Sequence, residues 1–432
     1  MRRWRTGAIL VEPLQAIFPG KVERAYPLRG AKIKVFMRET KQSSRVSKFK
    51  SSRSLGLEHF ETLELLEPYL ASMLRLNNIS LTQFKNYYNR PIGFSEKIIG
   101  ISGRNGIGKT NLLDAIHYLC FTKSYFTRLD GNNIMFGHDG FRLEGEFELC
   151  DKHETAICVL RETGKKEFSI DGYPYEKFSR HIGHYPCVII APDDIQIITG
   201  SSEERRRFID RLLSQLDTDY LQHLINYNKV LQQRNSLLRS FAETGNKDSS
   251  LLSVLDEQLI KPGEQIFEKR RDFLVAFLPS VKLMYNEIAK QFENINFFYH
   301  SELLQASFSE LLKINQPKDL VAMRTINGVH KDDLEFNLNE QAFKNIASQG
   351  QRKSLLFALK LAEMEVLKKE KGFAPLLLLD DVFEKLDEQR ISNLLQHVCV
   401  ENDGQVFITD TNEERLNQHL EGLSIPYQII NL

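Results

Sequence analysis

Cysteine is scarce in this chain and follows no pattern. The five residues (Cys120, Cys150, Cys158, Cys187, Cys399) are odd in number, scattered and nowhere spaced as C-x-x-C. Neither a disulfide framework nor a zinc site is expected from them. No stretch of about 18 apolar residues occurs, so no membrane-spanning helix is expected. A soluble protein of a reducing cytoplasm, with no membrane partner, fits both absences. Net charge is lacking as well, because 57 Lys+Arg balance 57 Asp+Glu. That balance hides an asymmetry: residues 1–53 hold 14 basic and 3 acidic residues, leaving 43 against 54 in the rest. An acidic body can bind nucleic acid only through a local basic surface, since phosphates are neutralised by Lys and Arg in register with them.

Residues 1–72 show no sustained hydrophobic period and are rich in Arg, Lys and Ser. A disordered basic leader is expected there. A secretory signal is excluded because only Ala8 to Val11 follow the arginines as an apolar block before Glu12 and Pro13. Three readings stay open: an over-extended gene start with Met73 as the true first residue, a basic arm that touches nucleic acid, or a targeting segment.

What is present is an α/β pattern interrupted once. Residues 73–202 hold strand-like segments at Leu74 to Leu81 and Lys97 to Ile101, a glycine loop, a helix from Asn111, and short β-rich pieces with turns such as Asp171-Gly172. The last of these predict an antiparallel β layer. Residues 203–315 are charged, rich in Leu, Gln and Glu, and spaced by threes and fours, which predicts an inserted helical arm or lobe. Residues 316–432 return to mixed pattern, with β-like segments near Gly328 to Leu338, a helix from about Gln351 to Lys369 and a buried strand at Leu376 to Leu379.

The glycine loop carries the chemistry. Gly103-Arg104-Asn105-Gly106-Ile107-Gly108-Lys109-Thr110 matches G-x-x-x-x-G-K-[ST] in full, between an apolar strand and a helix. Its glycines let backbone N–H groups face phosphates, Lys109 can reach the β- and γ-phosphates, and Thr110 offers a hydroxyl to Mg²⁺. Such a site also needs a carboxylate on a neighbouring strand. Asp380 and Asp381, directly after Leu376 to Leu379, supply two: Asp380 for the metal and Asp381 to polarise the attacking water. No guanine-selecting N-K-x-D occurs, so ATP is the expected nucleotide. Ser348-Gln349-Gly350-Gln351 opens a helix whose apolar stripe includes Leu355, Leu359, Ala362 and Val366. On its own, that tetrapeptide reads as a helix cap or as an anion site at a helix N-terminus. Between a P-loop and an LLLLDD strand it resembles the signature motif of ABC-type ATPases, which touches the γ-phosphate held by the other subunit.

The resemblance then becomes specific. Arg75 to Tyr87 (RLNNISLTQFKNY), GRNGIGKTNLLDAI from Gly103, Pro192-Asp193-Asp194 with Gly200 and Arg205 to Asp210, Gly328 to Leu334 (GVHKDDL), SQGQRKS from Ser348 and LLLLDDVFEKLD from Leu376 together resemble the RecF family of bacterial recombination mediators. They cover residues 73–432 in order. The resemblance implies an ABC-type, SMC-like ATPase head with an inserted helical lobe and an ATP-dependent homodimer around two nucleotides. It also implies weak DNA-stimulated ATPase activity, binding of single-stranded and gapped duplex DNA, and help in loading recombinase with RecO and RecR during the SOS response. Departures occur at Val329 and Lys331, where the family commonly has Pro and Arg, and at the switch segment Gln405 to Thr411, which lacks the γ-phosphate-sensing histidine of many ABC ATPases. Thr409 or Thr411 is the expected substitute.

Other residues keep two readings. Arg205 to Arg207 form a solvated helix face or contact phosphate, His330 is a hydrogen-bonded core residue or a functional one, and Asp193 either couples nucleotide to the lobe or does not. Two rival functions are an energy-coupling subunit of a transporter and a structural SMC-like protein with a degenerate site. The 270 positions between Thr110 and Asp380 disfavour the first, and intact Lys109, Asp380 and Asp381 disfavour the second.

Overall fold

The most apolar short runs become the strands of a parallel sheet. Ile98–Ser102, Cys187–Ile190, Leu376–Leu379 and Val406–Asp410 are buried along their whole length, as strands covered on both faces must be. The computed structural model describes residues 8–10, 73–245, 249–289, 293–383 and 388–432. In it these four strands and Tyr427–Asn431 form a parallel sheet in the order 427–431, 98–102, 406–410, 376–379, 187–190. Leu379 lies opposite Ile190 and Ile408, and Asp410 opposite Ser102. The carboxyl ends of these strands therefore share one edge, which is where α/β sheets place ligands.

Strand periodicity divides the interior in two. Ile98, Val188, Ile190, Leu377, Leu379, Val406 and Ile408 enter one core, and their neighbours Ile99, Ile101, Ile189, Leu376, Leu378 and Phe407 enter the other. Adjacent side chains leave a strand on opposite faces, so one run of leucines serves both cores. The second core also holds Leu112, Leu113, Ile116 and Leu119 of the P-loop helix Lys109–Phe121 and the inner face of a six-stranded antiparallel sheet. That sheet runs 87–93, 74–84, 141–149, 152–160, 166–170, 173–174. The turn before its last strand is Asp171-Gly172 with φ of 50° and 80°, the positive pair required by a type I′ hairpin. The antiparallel layer expected from the sequence is this sheet.

The first core is filled by helices Ser202–Leu216, Thr218–Thr244, Ser249–Ala289 and Phe308–Ala322, together with the inner face of Gln349–Lys371. The segment 203–315, expected to be helical, is helical only as far as Ala289 before a strand interrupts it. Ile295–His300 alternates buried and half-buried residues and pairs antiparallel with Asp333–Leu338. Its sequence, INFFYH, is aromatic and period-two, a pattern that suits a sheet edge better than a helix. Ala8–Leu10 pairs with the other side of that strand. The rest of residues 1–72, and with it the three readings of the leader, lies outside the described residues.

Inside the lobe Arg234 is fully buried and bonds Asp256 at 2.6 Å, Asp319 at 2.7 Å and the Thr325 hydroxyl at 2.9 Å. It joins three helices and the segment after them. Among the described residues no helix is long and apolar enough to cross a membrane.

Candidate nucleotide-binding site

The P-loop leaves the carboxyl end of Ile98–Ser102 and enters the helix at Lys109. Gly103, Gly106 and Gly108 have φ of 151°, 79° and 123°, a range that side chains other than hydrogen oppose. At Gly108 space is missing too, because an added Cβ would lie 2.7 Å from the Asn86 amide nitrogen and 2.9 Å from the Tyr87 hydroxyl. Those two residues clamp the loop from behind. Asn86 donates to the Ile107 carbonyl at 2.6 Å and accepts from Asn111 at 2.7 Å, and Tyr87 donates to the Gly108 carbonyl at 3.0 Å. Burial pushes the Tyr87 phenol up to about 12, so it remains a donor at neutral pH. Both belong to the RLNNISLTQFKNY segment, but nothing in their spacing announces the clamp.

Lys109 is buried and donates to the Gly103 carbonyl at 2.9 Å, folding back over the loop. The Thr110 hydroxyl lies 2.9 and 3.1 Å from the two Asp380 oxygens, so residues 270 positions apart meet at the sheet edge. Thr409 donates to Asp380 at 2.9 Å and accepts the Asp381 N–H at 2.9 Å. Burial raises the Asp380 carboxyl above the ordinary range, while the bonds from Thr409 and Thr110 and the charge of Lys109 oppose that rise. Asp381 has φ 44°, left-handed for a non-glycine residue, and is held there through its N–H. Thr409, named above as a substitute for the absent histidine, touches both carboxylate residues.

These donors fit Mg²⁺. The ion is hard and keeps most of its waters, taking one or two protein oxygens beside the phosphates; Thr110 and Asp380 offer that number. No group of three or more His, Cys, Asp and Glu residues suited to an all-protein metal cage occurs among the described residues.

Ser348 caps the helix Gln349–Lys371. Its hydroxyl accepts the Gln351 N–H at 3.2 Å, the Gln351 side chain accepts the Ser348 N–H at 2.8 Å, and Gln351 donates on to Glu293 at 3.0 Å. Ser348 and Gln349 are exposed at the surface, and the Arg390 guanidinium lies against Gly350, where a Cβ would displace it. A cleft of about 440 Å³ is lined by Gln349, Arg352 and Lys353 on this helix, by Asp380 and Asp381, and by Pro192. Glu384 to Asp387, the end of the LLLLDDVFEKLD segment, lie outside the described residues.

The residues with two readings now have definite surroundings. Arg205 is buried and bonds Asp333 at 2.7 and 3.1 Å, Arg206 donates to the Asp332 carbonyl at 2.6 Å, and Arg207 pairs with Glu203 and Glu204. Two of the three therefore fasten the GVHKDDL segment to the lobe. His330 is a hydrogen-bonded residue held between Tyr227 at 2.7 Å and the Thr325 carbonyl at 3.1 Å, and burial lowers it to about 4. Asp193 is exposed, whereas Asp194 is buried; it accepts from Tyr125 and lies 3.6 Å from Lys360. Of the two neighbours, it is Asp194 that makes the contacts between elements.

Comparison with known proteins identifies the family. The AAA domain family matches residues 78–422. The DNA replication and repair protein RecF of Flavobacterium johnsoniae is 43% identical over 359 residues, covering 83% of this chain and 100% of that protein. The protein of the same name from Bacteroides thetaiotaomicron is 40% identical over 83% of this chain and 96% of its own length.

The chain belongs to the RecF family.

A solved structure described as the recombination mediator protein RecF-ATP in the RecFOR pathway superimposes with TM-score 0.74 at 29% identity, over 80% of this chain and 94% of that one. The RecF fold thus accounts for the ABC-type head, the antiparallel layer and the inserted lobe.

Proposed function

We propose that this chain is an ATP-gated DNA-binding protein of replication and recombinational repair in the cytoplasm. It binds ATP and Mg²⁺ through Gly103 to Thr110 and Asp380, and hydrolyses ATP slowly with Asp381 polarising the water. The observation that carries the reading is the Thr110–Asp380 contact, which joins the P-loop to the aspartate strand beside a helix whose N-terminus faces outward. The family relatives support the repair role, and the RecF-ATP structure supports the nucleotide. Ser348 and Gln349 of one copy meet the γ-phosphate held by a second copy, so ATP closes a homodimer. Closure assembles a basic surface for single-stranded and gapped duplex DNA, and the complex then works with RecO- and RecR-type mediators, including in the SOS response.

The test is fluorescence anisotropy on gapped duplex, with and without ATP, for the parent and Ser348→Arg, beside gel filtration of both. ATP-enhanced DNA binding and dimerisation in the parent, lost in Ser348→Arg while ATP binding persists, is the expected result. Enhancement that survives the substitution overturns the clamp.

A further inference from the structure

A second cleft lies away from the nucleotide site. It measures about 630 Å³ and lies between the segment that follows the P-loop helix (residues 122–128) and the helices Ser202–Leu216 and Thr218–Thr244. In a body that is acidic apart from its leader, this cleft is lined by four cations, Lys123, Arg128, Arg207 and Arg211, and by one carboxylate, Asp210. That carboxylate is already engaged by Arg270 at 2.8 Å and by Tyr220 at 2.5 Å. Arg207 is paired with Glu203 and Glu204, and Arg128 lies 3.8 Å from Glu203 at the rim. Lys123 has no ion pair among the described residues, whereas Arg211 lies 4.2 Å over the Tyr125 ring and feels the charges of Asp194 and Glu363. Burial, with the charges of Lys166 and Arg211, holds Lys123 below its usual range.

One more group in the wall lacks a partner. His117 is buried, and its Nδ1 lies 3.2 Å from the Lys123 carbonyl, which can only accept. Burial and the Arg211 charge hold the ring neutral, so Nε2 carries a lone pair. No protein group donates to it, and a buried acceptor without a donor costs about 1–3 kcal/mol. Four cations around a single, already engaged carboxylate, beside an acceptor without a donor, suit a ligand with an anionic group and a hydrogen-bond donor. A cleft of this volume takes a group of nucleotide size.

We propose that this cleft binds a backbone phosphate and the adjoining nucleotide of a nucleic-acid strand. Lys123 and Arg211 take the phosphate, Arg128 sits at the rim, and His117 Nε2 accepts from the nucleotide or from a water it carries. The anion site follows from the cleft itself; its assignment to nucleic acid rests on the DNA-binding reading above. A free phosphate would leave most of the cleft empty.

The test uses the full chain with ATP and a fluorescent single-stranded oligonucleotide. Lys123→Gln with Arg128→Gln should weaken binding about tenfold and make the salt dependence shallower by about one, because one phosphate contact and a rim charge are lost. ATP affinity should not change, and Lys313→Gln on the Phe308–Ala322 helix should have no effect. Parent-like affinity and slope in the double variant overturn the site. A parent that binds no oligonucleotide overturns the DNA reading itself, which separates the two failures. Acylation of Lys123 read by mass spectrometry distinguishes the ligand source: protection by the oligonucleotide supports the proposal. Protection by inorganic pyrophosphate alone, or by an acidic peptide alone, overturns the nucleic-acid assignment.

Discussion

Two helices start at the candidate nucleotide site, and they start in opposite ways. Lys109–Phe121 has a glycine at its N-cap with φ 123° and no side-chain cap, so its first N–H groups are offered to a ligand. Gln349–Lys371 closes its own start with the reciprocal Ser348–Gln351 bonds. The first N-terminus is organised for an anion before any arrives, whereas the second must exchange an internal bond for an external one. The contrast suits a division of labour in which nucleotide binds to a single copy first and engages the second helix only on closure.

The comparison breaks first at Lys109. Lys109→Met should lose ATP affinity by roughly 100-fold or more, since charge-assisted bonds to phosphate have no apolar substitute; unchanged affinity in a calorimetric titration would remove the anion site from the first helix. Asp380→Asn comes next, with two opposed effects. Its pKa is raised in the fold, so the ionised carboxylate destabilises the free protein at pH above that value, and the penalty fades as pH falls through it. The variant should therefore melt slightly higher at pH 7 than the parent while losing Mg²⁺-dependent nucleotide binding by about tenfold. A lower melting temperature with normal Mg²⁺ dependence would contradict both halves.

Smaller effects sharpen the contrast. Thr409→Val keeps shape but removes the bonds to Asp380 and Asp381. Each is worth about 1 kcal/mol, and slowed turnover with retained ATP binding is expected in single-turnover assays. Ser348→Ala should cost about 1 kcal/mol of stability through the lost cap, visible in denaturant melts without nucleotide. If the melt does not move, the second helix is not self-capped in solution.

The glycine spacing and the apolar run before Asp380 made the P-loop and the carboxylate that meets Thr110 legible, because both motifs act through backbone conformation and chain order. The clamp at Asn86 and Tyr87 was not legible, since its role exists only against the positive φ of Gly108. Neighbouring carboxylates Asp193 and Asp194 look alike in sequence, and only the short turn after Ile190 decides which one faces inward. Arg205 and Arg206 read as surface charge because their partners lie more than 120 positions away. Ile295–His300 was absorbed into a helical region because six residues offer too little period to stand out from one.

Arg234 adds a mechanical corollary. Its guanidinium is shared by the partly exposed Asp256 and the buried Asp319, and separating the buried Asp319 partner costs about 3–5 kcal/mol. The helices Thr218–Thr244, Ser249–Ala289 and Phe308–Ala322 are thus riveted at that point and resist sliding past one another. Displacement of the lobe would have to arise where it joins the head, and whatever angle is set there would be carried along the helices undiminished, as by a lever instead of a spring.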